Sequence, residues 1–213
     1  MDNAERRIHV ATLLREFGHE FVGRELSDAG LDAIAETVQS LLAGVTRAPP
    51  RQRSVPSASA EGFKMTVPSD GRVERHQLFA DSVVSGGANP MGLGAYLWRE
   101  GDVAVMEVTL GNAFEGAPGR SHGGVVASLI DETMGLVMGM QGVLAFTAQL
   151  DITYRAPTPI NEPITARAWL EGRSGRKLTI KATVSSEEGM VAEATALFIE
   201  VDPATFLEHI IDA

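Results

Sequence analysis

Residues 123–139, GGVVASLIDETMGLVMG, narrow the folds open to this chain more than any other segment, because they are apolar nearly all round. A helix of that kind is buried on most of its surface. Around it lie runs in which apolar and polar residues alternate, as in antiparallel strands with one buried face. These runs cover 103–110, 148–154, 164–171, 177–184 and 191–199. The pattern predicts an α+β fold in which an antiparallel sheet curls around one central helix.

The first 46 residues form a separate pattern of two helical runs, with Ser27 or Asp28 placed to cap the second. We predict a helical hairpin over 1–46, a linker over 47–62 and one domain over 63–213. Each helix has an apolar stripe, which we expect to pack on the domain or on a partner subunit. The stripes consist of Val10, Leu13, Leu14, Phe17 and Phe21, and of Leu31, Ile34, Val38, Leu41, Leu42 and Val45.

Charge and composition exclude several classes of function. The formal net charge of -10 disfavours non-specific binding to nucleic acid or to an anionic membrane, because the protein repels phosphate at long range. The chain has no cysteine, which excludes disulfides and thiolate chemistry and fits a cytoplasmic location. We expect no secretory signal and no membrane span. No His, Asp and Glu residues have metal-ligand spacing, so we expect neither a metal nor another cofactor.

The segment PGRSHGG at 118–124 leads into the apolar helix and holds the residue types of a reactive site. Its two glycines let a ligand approach closely, and the first N–H groups of a helix have no intrahelical partner. Such groups can hold an oxygen that becomes negative during a reaction. Asp131 follows two turns later, and a carboxylate on so apolar a helix must be paired or functional. Glu132 points about 100° away, so we interpret it as structural.

His122-Gly123-Gly124, with Asp131 nine residues after the histidine, resembles the signature of hotdog-fold acyl-CoA thioesterases of the phenylacetate-pathway (PaaI-like) type. The resemblance implies hydrolysis of acyl-CoA to a carboxylic acid and CoA, in which CoA is part of the substrate. Asp131 would activate a water or attack directly, and His122 and the Gly124 N–H would hold the thioester carbonyl. Thr147, at the next strand, would hold the water or the carboxylate. The family's site lies between two subunits, which implies a homodimer or a pair of dimers.

The resemblance covers residues 78–201 and includes two further segments. Residues 89–93, NPMGL, are similar to an upstream element of the family, and residues 147–157 to its next strand. We therefore expect substrate contacts at Asn89, Gly123 and Tyr154. Some members have Asn six residues before the histidine, where this chain has Gly116. That departure leaves the support of the carbonyl to His122 and backbone N–H groups.

Four basic residues near turns are candidates for contact with the phosphates of CoA, which an arginine can grip in bidentate fashion. They are Arg155, Arg173, Arg176 and Lys177. A solvated rim is the alternative interpretation. Two other functions also stay open. One is an enoyl-CoA hydratase on the same fold, and the other is a non-catalytic acyl-CoA binding or sensing protein. Asp131 argues against the second, because binding alone does not need the carboxylate.

Overall fold

The computed structural model describes residues 1–51, 67 and 80–203 of the 213 residues. Residues 52–62 of the predicted linker lie outside the described residues, so the linker stays a prediction. The elements are α1 (Asn3–Gly23), α2 (Asp28–Thr46), β1 (Tyr96–Glu100), β2 (Val103–Thr109), a 3₁₀ turn (Asn112–Phe114), β3 (Glu115–Ala117), β4 (Arg120–Ser121), α3 (Gly123–Gln141), β5 (Ala145–Tyr154), β6 (Pro163–Ser174), β7 (Lys177–Ser186) and β8 (Gly189–Glu200).

Six of the strands form one antiparallel sheet in the order β1-β2-β6-β7-β8-β5, and α3 packs across it. Leu129, Ile130, Met134 and Val137 on α3 are completely buried against the sheet. The predicted central helix and the five predicted strands are confirmed. The prediction did not include β1, which pairs with β2 at one edge of the sheet.

The opposite edge is β5, which carries a bulge near its start. Its register with β8 pairs Thr147 with Phe198 and then Gln149 with Leu197, so Ala148 is the extra residue. Leu150 and Ile152 pack towards the core, and strict alternation from them would turn Thr147 to the other face. A bulge re-aims side chains in this way. Thr147 therefore reaches α3, as its bond to Asp131 shows.

The packing face of α1 differs from the predicted one. The buried side chains of α1 are Ala11 and Arg15, and His19 lies on the same helical row. His19 Nδ1 accepts a hydrogen bond from the Ala113 N–H at 3.1 Å, and the His19 ring packs edge-on against Phe114 with centroids 5.0 Å apart. The predicted stripe remains exposed, for example Phe17 at 43%. Small and polar side chains thus fit α1 to the 3₁₀ turn and to the loop before β1, which apolar periodicity cannot reveal.

The second helix begins at its predicted cap, since Ser27 Oγ accepts a hydrogen bond from the Gly30 N–H at 3.2 Å. Within the described part of the chain, α2 is not packed along α1, so the helices do not form the predicted hairpin. Only Gly30 and Ile34 of α2 are half-buried, and Leu41 is 62% exposed. Most of both stripes is therefore not packed on the chain's own domain, and of the two predicted alternatives the packing on a partner subunit stays a prediction.

Candidate functional site

The start of α3 is fixed by the short ribbon of β3 and β4. The His122 N–H donates to the Phe114 carbonyl at 2.9 Å, and the Ser121 N–H donates to the Thr158 carbonyl at 2.8 Å. Gly116 lies directly against this backbone, because a Cβ there would approach the His122 Cα to 2.7 Å. The ribbon therefore leaves no room at position 116 for the Asn side chain that some hotdog thioesterases carry.

His122 is the N-cap of α3, and its ring folds over the first turn. His122 Nδ1 accepts a hydrogen bond from the Gly124 N–H at 3.0 Å. An accepting Nδ1 places the proton of a neutral imidazole on Nε2, so the exposed ring presents a donor to solvent. The Gly124 N–H, which we predict to hold a thioester oxygen, is thus satisfied by His122 in this structure. An oxygen ligand has to displace the imidazole to reach it.

Asp131 and Thr147 meet as the sequence predicts. The Thr147 hydroxyl donates to Asp131 Oδ1 at 2.8 Å. Asp131 is half-buried and Thr147 is exposed, so solvent or a ligand can reach the pair. One carboxylate oxygen is held by the hydroxyl, and the other can accept a proton from water or attack an electrophile.

Glu132 is structural, as we interpret it. Its carboxylate accepts hydrogen bonds from the Ser82 hydroxyl at 2.5 Å, from the Ser85 N–H at 3.0 Å and from the Ser85 hydroxyl. These bonds fasten the loop before β1 to the central helix. The neighbouring carboxylates Asp131 and Glu132 thus contact different parts of the fold, because they leave the helix in different directions.

Tyr154 stands at the far end of β5 and contacts the start of α3. Its hydroxyl donates to the Gly123 carbonyl at 2.7 Å. A Cβ at position 123 would lie 3.3 Å from the Tyr154 hydroxyl oxygen, so a glycine at this position allows the close approach. The predicted substrate contacts at Tyr154 and Gly123 remain predictions, while the structure shows the two residues bonded to each other.

Asn89 is occupied within its own loop. Its side-chain amide donates to the Asp81 carbonyl at 3.1 Å, and its side-chain oxygen accepts from the Met91 N–H at 2.9 Å. The Asn89 carbonyl accepts from Arg15 of α1 at 2.6 Å. These bonds make Asn89 a loop-stabilising residue, and its predicted contact with substrate stays a prediction. The role of Arg15 is not predicted by the sequence, where its only signal is a charge on the helical row of Ala11.

The four basic candidates do not form one cluster. Arg173, Arg176 and Lys177 surround the turn between β6 and β7, where Lys177 pairs with Ile199 of β8. Arg155 follows the opposite end of β5, beside Val191. Residues 191 and 199 of one strand are about 26 Å apart at a rise of about 3.3 Å per residue. A single phosphate group therefore cannot contact both ends within one chain, and the predicted contacts of these four residues with the phosphates of CoA stay predictions.

Two of these arginines are also paired with acids. Arg155 forms an ion pair with Glu193, and Arg173 forms one with Glu200. Both arginines are exposed and both glutamates are partly exposed, and ion pairs at such surface positions contribute little stability, so an incoming phosphate can replace the carboxylate. Arg176 donates from Nε to the Glu200 carbonyl at 2.9 Å, which leaves its terminal nitrogens outside that bond.

The described residues were also compared with the requirements of a metal site and of a membrane span. Among residues 1–51, 67 and 80–203, no group of three His, Asp or Glu side chains is arranged to hold a metal ion. By length and mean hydropathy, α3 is the one helix there that would suffice to cross a membrane. Half of that helix is buried inside the fold, as expected for the core helix of a sheet-wrapped domain.

Comparisons with known proteins agree with this architecture. Residues 119–193 match the family model described as Thioesterase superfamily. The chain is similar to the acyl-coenzyme A thioesterase THEM4 of Mus musculus, with 43% identity over 91 residues, and to that of Xenopus laevis, with 36% identity over 97 residues. The matched segments cover 42% and 44% of this chain, and only 39% and 43% of those relatives.

A solved structure described as a thioesterase superfamily protein superposes with a TM-score of 0.73. It covers 91% of this chain and 90% of its own, at 22% sequence identity. The similarity at this identity establishes the fold, which is the hotdog fold that the sequence predicts. Because the superposition covers 91% of this chain, it extends beyond the sheet and α3.

Proposed function

We propose that this chain hydrolyses acyl-CoA thioesters, because it has a hotdog fold, its residues 119–193 match the Thioesterase superfamily, and its central helix carries an accessible carboxylate. The observation that carries the proposal is the solvent-accessible Asp131, held by the Thr147 hydroxyl at 2.8 Å on a mostly apolar helix. The described contacts of Asp131 include no cation, so an ion pair does not account for the carboxylate.

The reaction adds water to the thioester carbonyl and releases a carboxylic acid and CoA. On one route, Asp131 removes a proton from water as it attacks the carbonyl carbon. On the other, Asp131 attacks the carbonyl itself, expels the CoA thiolate and forms a mixed anhydride that water then cleaves. The Thr147 hydroxyl orients the carboxylate on either route. Both routes place negative charge on the carbonyl oxygen, which N–H donors at the start of α3 would stabilise.

The geometry of α3 favours a site shared by two subunits. Gly124 and Asp131 are seven residues apart on one helix, which separates their backbones by about 10 Å along the axis. Reacting atoms must come within about 3–3.5 Å of each other. If the oxygen of the thioester carbonyl binds the Gly124 N–H, the carbonyl carbon lies too far from Asp131 of the same helix to react with it. Two antiparallel copies of α3 would bring Asp131 of one subunit to Gly124 of its partner.

The positions of the basic residues support the same assembly. Arg173, Arg176 and Lys177 lie at the Thr147 end of β5, and Arg155 lies at the Tyr154 end. A site formed by the Thr147 end of β5 in one subunit and the Tyr154 end of β5 in its partner would contain basic residues from both ends. The exposed apolar stripes of α1 and α2 are further surface for association, since large exposed apolar patches mark interaction sites. We infer a homodimer or a pair of dimers, and a cytoplasmic enzyme without a cofactor.

A panel of acyl-CoA substrates tests the function. Short, branched, long-chain and aromatic acyl-CoA esters are incubated with the purified protein, and the release of free thiol is followed over time. Asp131→Asn protein prepared in parallel reports any contaminating thioesterase. We expect turnover of at least one acyl class by the unsubstituted protein and little by the variant. Tight binding of acyl-CoA without thiol release from any substrate would instead establish a binding protein.

A further inference from the structure

The hydroxyl of Tyr154 binds the peptide unit that contains the N–H of Gly124. The carbonyl of Gly123 and the N–H of Gly124 are the two ends of one planar amide. Tyr154 donates to that carbonyl at 2.7 Å, and the N–H at the other end is the donor that faces the proposed thioester oxygen once His122 moves aside. We propose that Tyr154 is a positioning residue that strengthens the Gly124 N–H as a donor to the thioester oxygen. The inference rests on the proposed thioesterase function.

The physical reason is polarisation of the amide. A hydrogen bond accepted by a carbonyl draws electron density from the nitrogen of the same amide, so the N–H becomes a better donor. Hydrogen bonds in such chains strengthen one another by about 10–30%. The gain is larger for an acceptor that carries charge. The thioester oxygen becomes negative only in the transition state, so the effect of Tyr154 belongs to kcat more than to KM.

The local structure keeps the tyrosine in this role. The absence of a side chain at position 123 lets the phenol reach the carbonyl, since a Cβ there would lie 3.3 Å from the hydroxyl oxygen and 3.4 Å from Cζ. Partial burial of Tyr154 raises the pKa of its phenol above the usual 10. The hydroxyl therefore stays protonated, and remains a donor, throughout the neutral pH range.

The kinetic test compares Tyr154→Phe with Tyr96→Phe on the best acyl-CoA substrate. The first variant keeps the ring and removes the hydroxyl. The second alters the other of the two tyrosines, on β1 at the opposite edge of the sheet. Removal of an oxyanion donor typically costs about 10²–10³ in rate. If Tyr154 supplies about 10–30% of the free energy by which this donor stabilises the transition state, Tyr154→Phe should lower kcat about two- to eightfold and leave KM nearly unchanged. Tyr96→Phe should leave both constants as they are.

A spectroscopic test reads the peptide unit directly. The sequence contains two Gly-Gly pairs, at 86–87 and 123–124. Protein labelled with glycine carrying ¹³C at the carbonyl and ¹⁵N gives carbonyl-to-amide correlations from those two pairs alone. We expect Tyr154→Phe to shift the 123–124 signal, in both its carbonyl and amide dimensions, and to leave the 86–87 signal in place. A merely structural tyrosine would not give this shift together with a selective loss of kcat.

The outcomes separate the two proposals. Full kcat in Tyr154→Phe, with an active unsubstituted protein, would overturn the role of Tyr154 and leave the thioesterase function standing. A rise in KM alone would overturn it as well, and would show that the hydroxyl contacts substrate as the sequence predicts. An unshifted 123–124 signal would show that the hydroxyl does not act on this amide. An unsubstituted protein without thioesterase activity would overturn the proposed function and, with it, any catalytic effect of Tyr154.

Discussion

The Thr147 hydroxyl donates a hydrogen bond to Asp131 Oδ1 at 2.8 Å, and the two residues come from the edge strand and the central helix. The bond exists because a bulge at Ala148 turns Thr147 towards α3, where regular alternation would turn it away. It holds one carboxylate oxygen and leaves the other available to water or substrate. The reactivity of the proposed site therefore depends on a local irregularity of β5.

Asp131→Asn should abolish most activity and leave the fold intact. The exchange preserves size and removes the base or nucleophile, and a positioned base contributes about 10²–10⁴ in rate. Glu132→Gln is the matched control, because Glu132 binds Ser82 and Ser85 and should affect thermal stability more than kcat. The measurements are kcat by thiol release and the melting temperature. An inactive Glu132→Gln beside an active Asp131→Asn would show that the catalytic carboxylate is misassigned.

Thr147→Ala should lower kcat by less than Asp131→Asn, since the hydroxyl orients the reacting group without supplying charge. Thr147→Ser keeps the hydroxyl and should restore most of the rate. Thr153→Ala changes an exposed threonine on the same strand and serves as the control for loss of a methyl and a hydroxyl. Steady-state kinetics on one substrate compare the three variants. Equal rates in Thr147→Ala and Thr147→Ser would contradict a role for the hydroxyl.

Mixing two inactive variants should restore activity if the site spans two subunits. Asp131→Asn removes the carboxylate, and Gly124→Pro removes the N–H at a first-turn helix position where proline is tolerated. Random exchange of subunits would leave one intact site in each mixed dimer, or about a quarter of the full activity. Each variant is unfolded and refolded alone as a control, then the two are refolded together. No recovery from co-refolded, correctly dimeric protein would place both groups in one subunit.

Arg155→Ala and Arg176→Ala should raise KM several-fold and leave kcat nearly constant, because phosphate contacts are alike in the ground and transition states. Added salt should raise KM of the unsubstituted protein and have a weaker effect on the variants. Arg167→Ala is the control, since Arg167 is a partly exposed arginine paired with Glu100 on another part of the sheet. Unchanged KM in both test variants would mean that the phosphates of CoA bind elsewhere.

Acid should loosen the attachment of α1 through His19. Burial, with a smaller contribution from the Arg15 cation, holds the pKa of His19 below its usual 6.5. Above pH 6.5 His19 is neutral in both the folded and the unfolded chain. As the pH falls below 6.5 the unfolded chain takes up a proton that the folded chain resists, so folding stability declines. Urea unfolding of the unsubstituted protein at pH 7.5 and pH 5.5 should show this loss.

His19→Asn is the matched variant for this test, because its side-chain oxygen can accept from the Ala113 N–H and does not titrate. It should lose less stability than the unsubstituted protein over the same change in pH. An equal loss in both proteins would assign the acid sensitivity to other groups.

Much of the site was readable from sequence because its residues are close together along the chain. The spacing of His122, Gly124 and Asp131 on one helix follows from helical geometry, and the alternating strands fix which faces are buried. Glu132 could be separated from Asp131 for the same reason. The pairing of Asp131 with Thr147 was expected from the resemblance to a family, and the structure supplied its distance.

Other features could not be read from the sequence. The capping of Gly124 by His122 depends on a side-chain rotation, and the bond from Tyr154 to Gly123 joins residues 31 positions apart. The separation of Arg155 from Arg173 follows from strand register, and the packing of α1 depends on the fit of Ala11, Arg15 and His19 to two different loops.

The sequence by itself determined the central helix, the alternating strands and the position of the catalytic candidates on them, because burial periodicity and spacing along a helix are local properties. Only the tertiary structure decided which groups meet. The bulge brings Thr147 to Asp131, and the fold of β5 brings Tyr154 to the start of α3. Such contacts join distant parts of the chain, and they depend on strand register and side-chain fit, which no local pattern encodes.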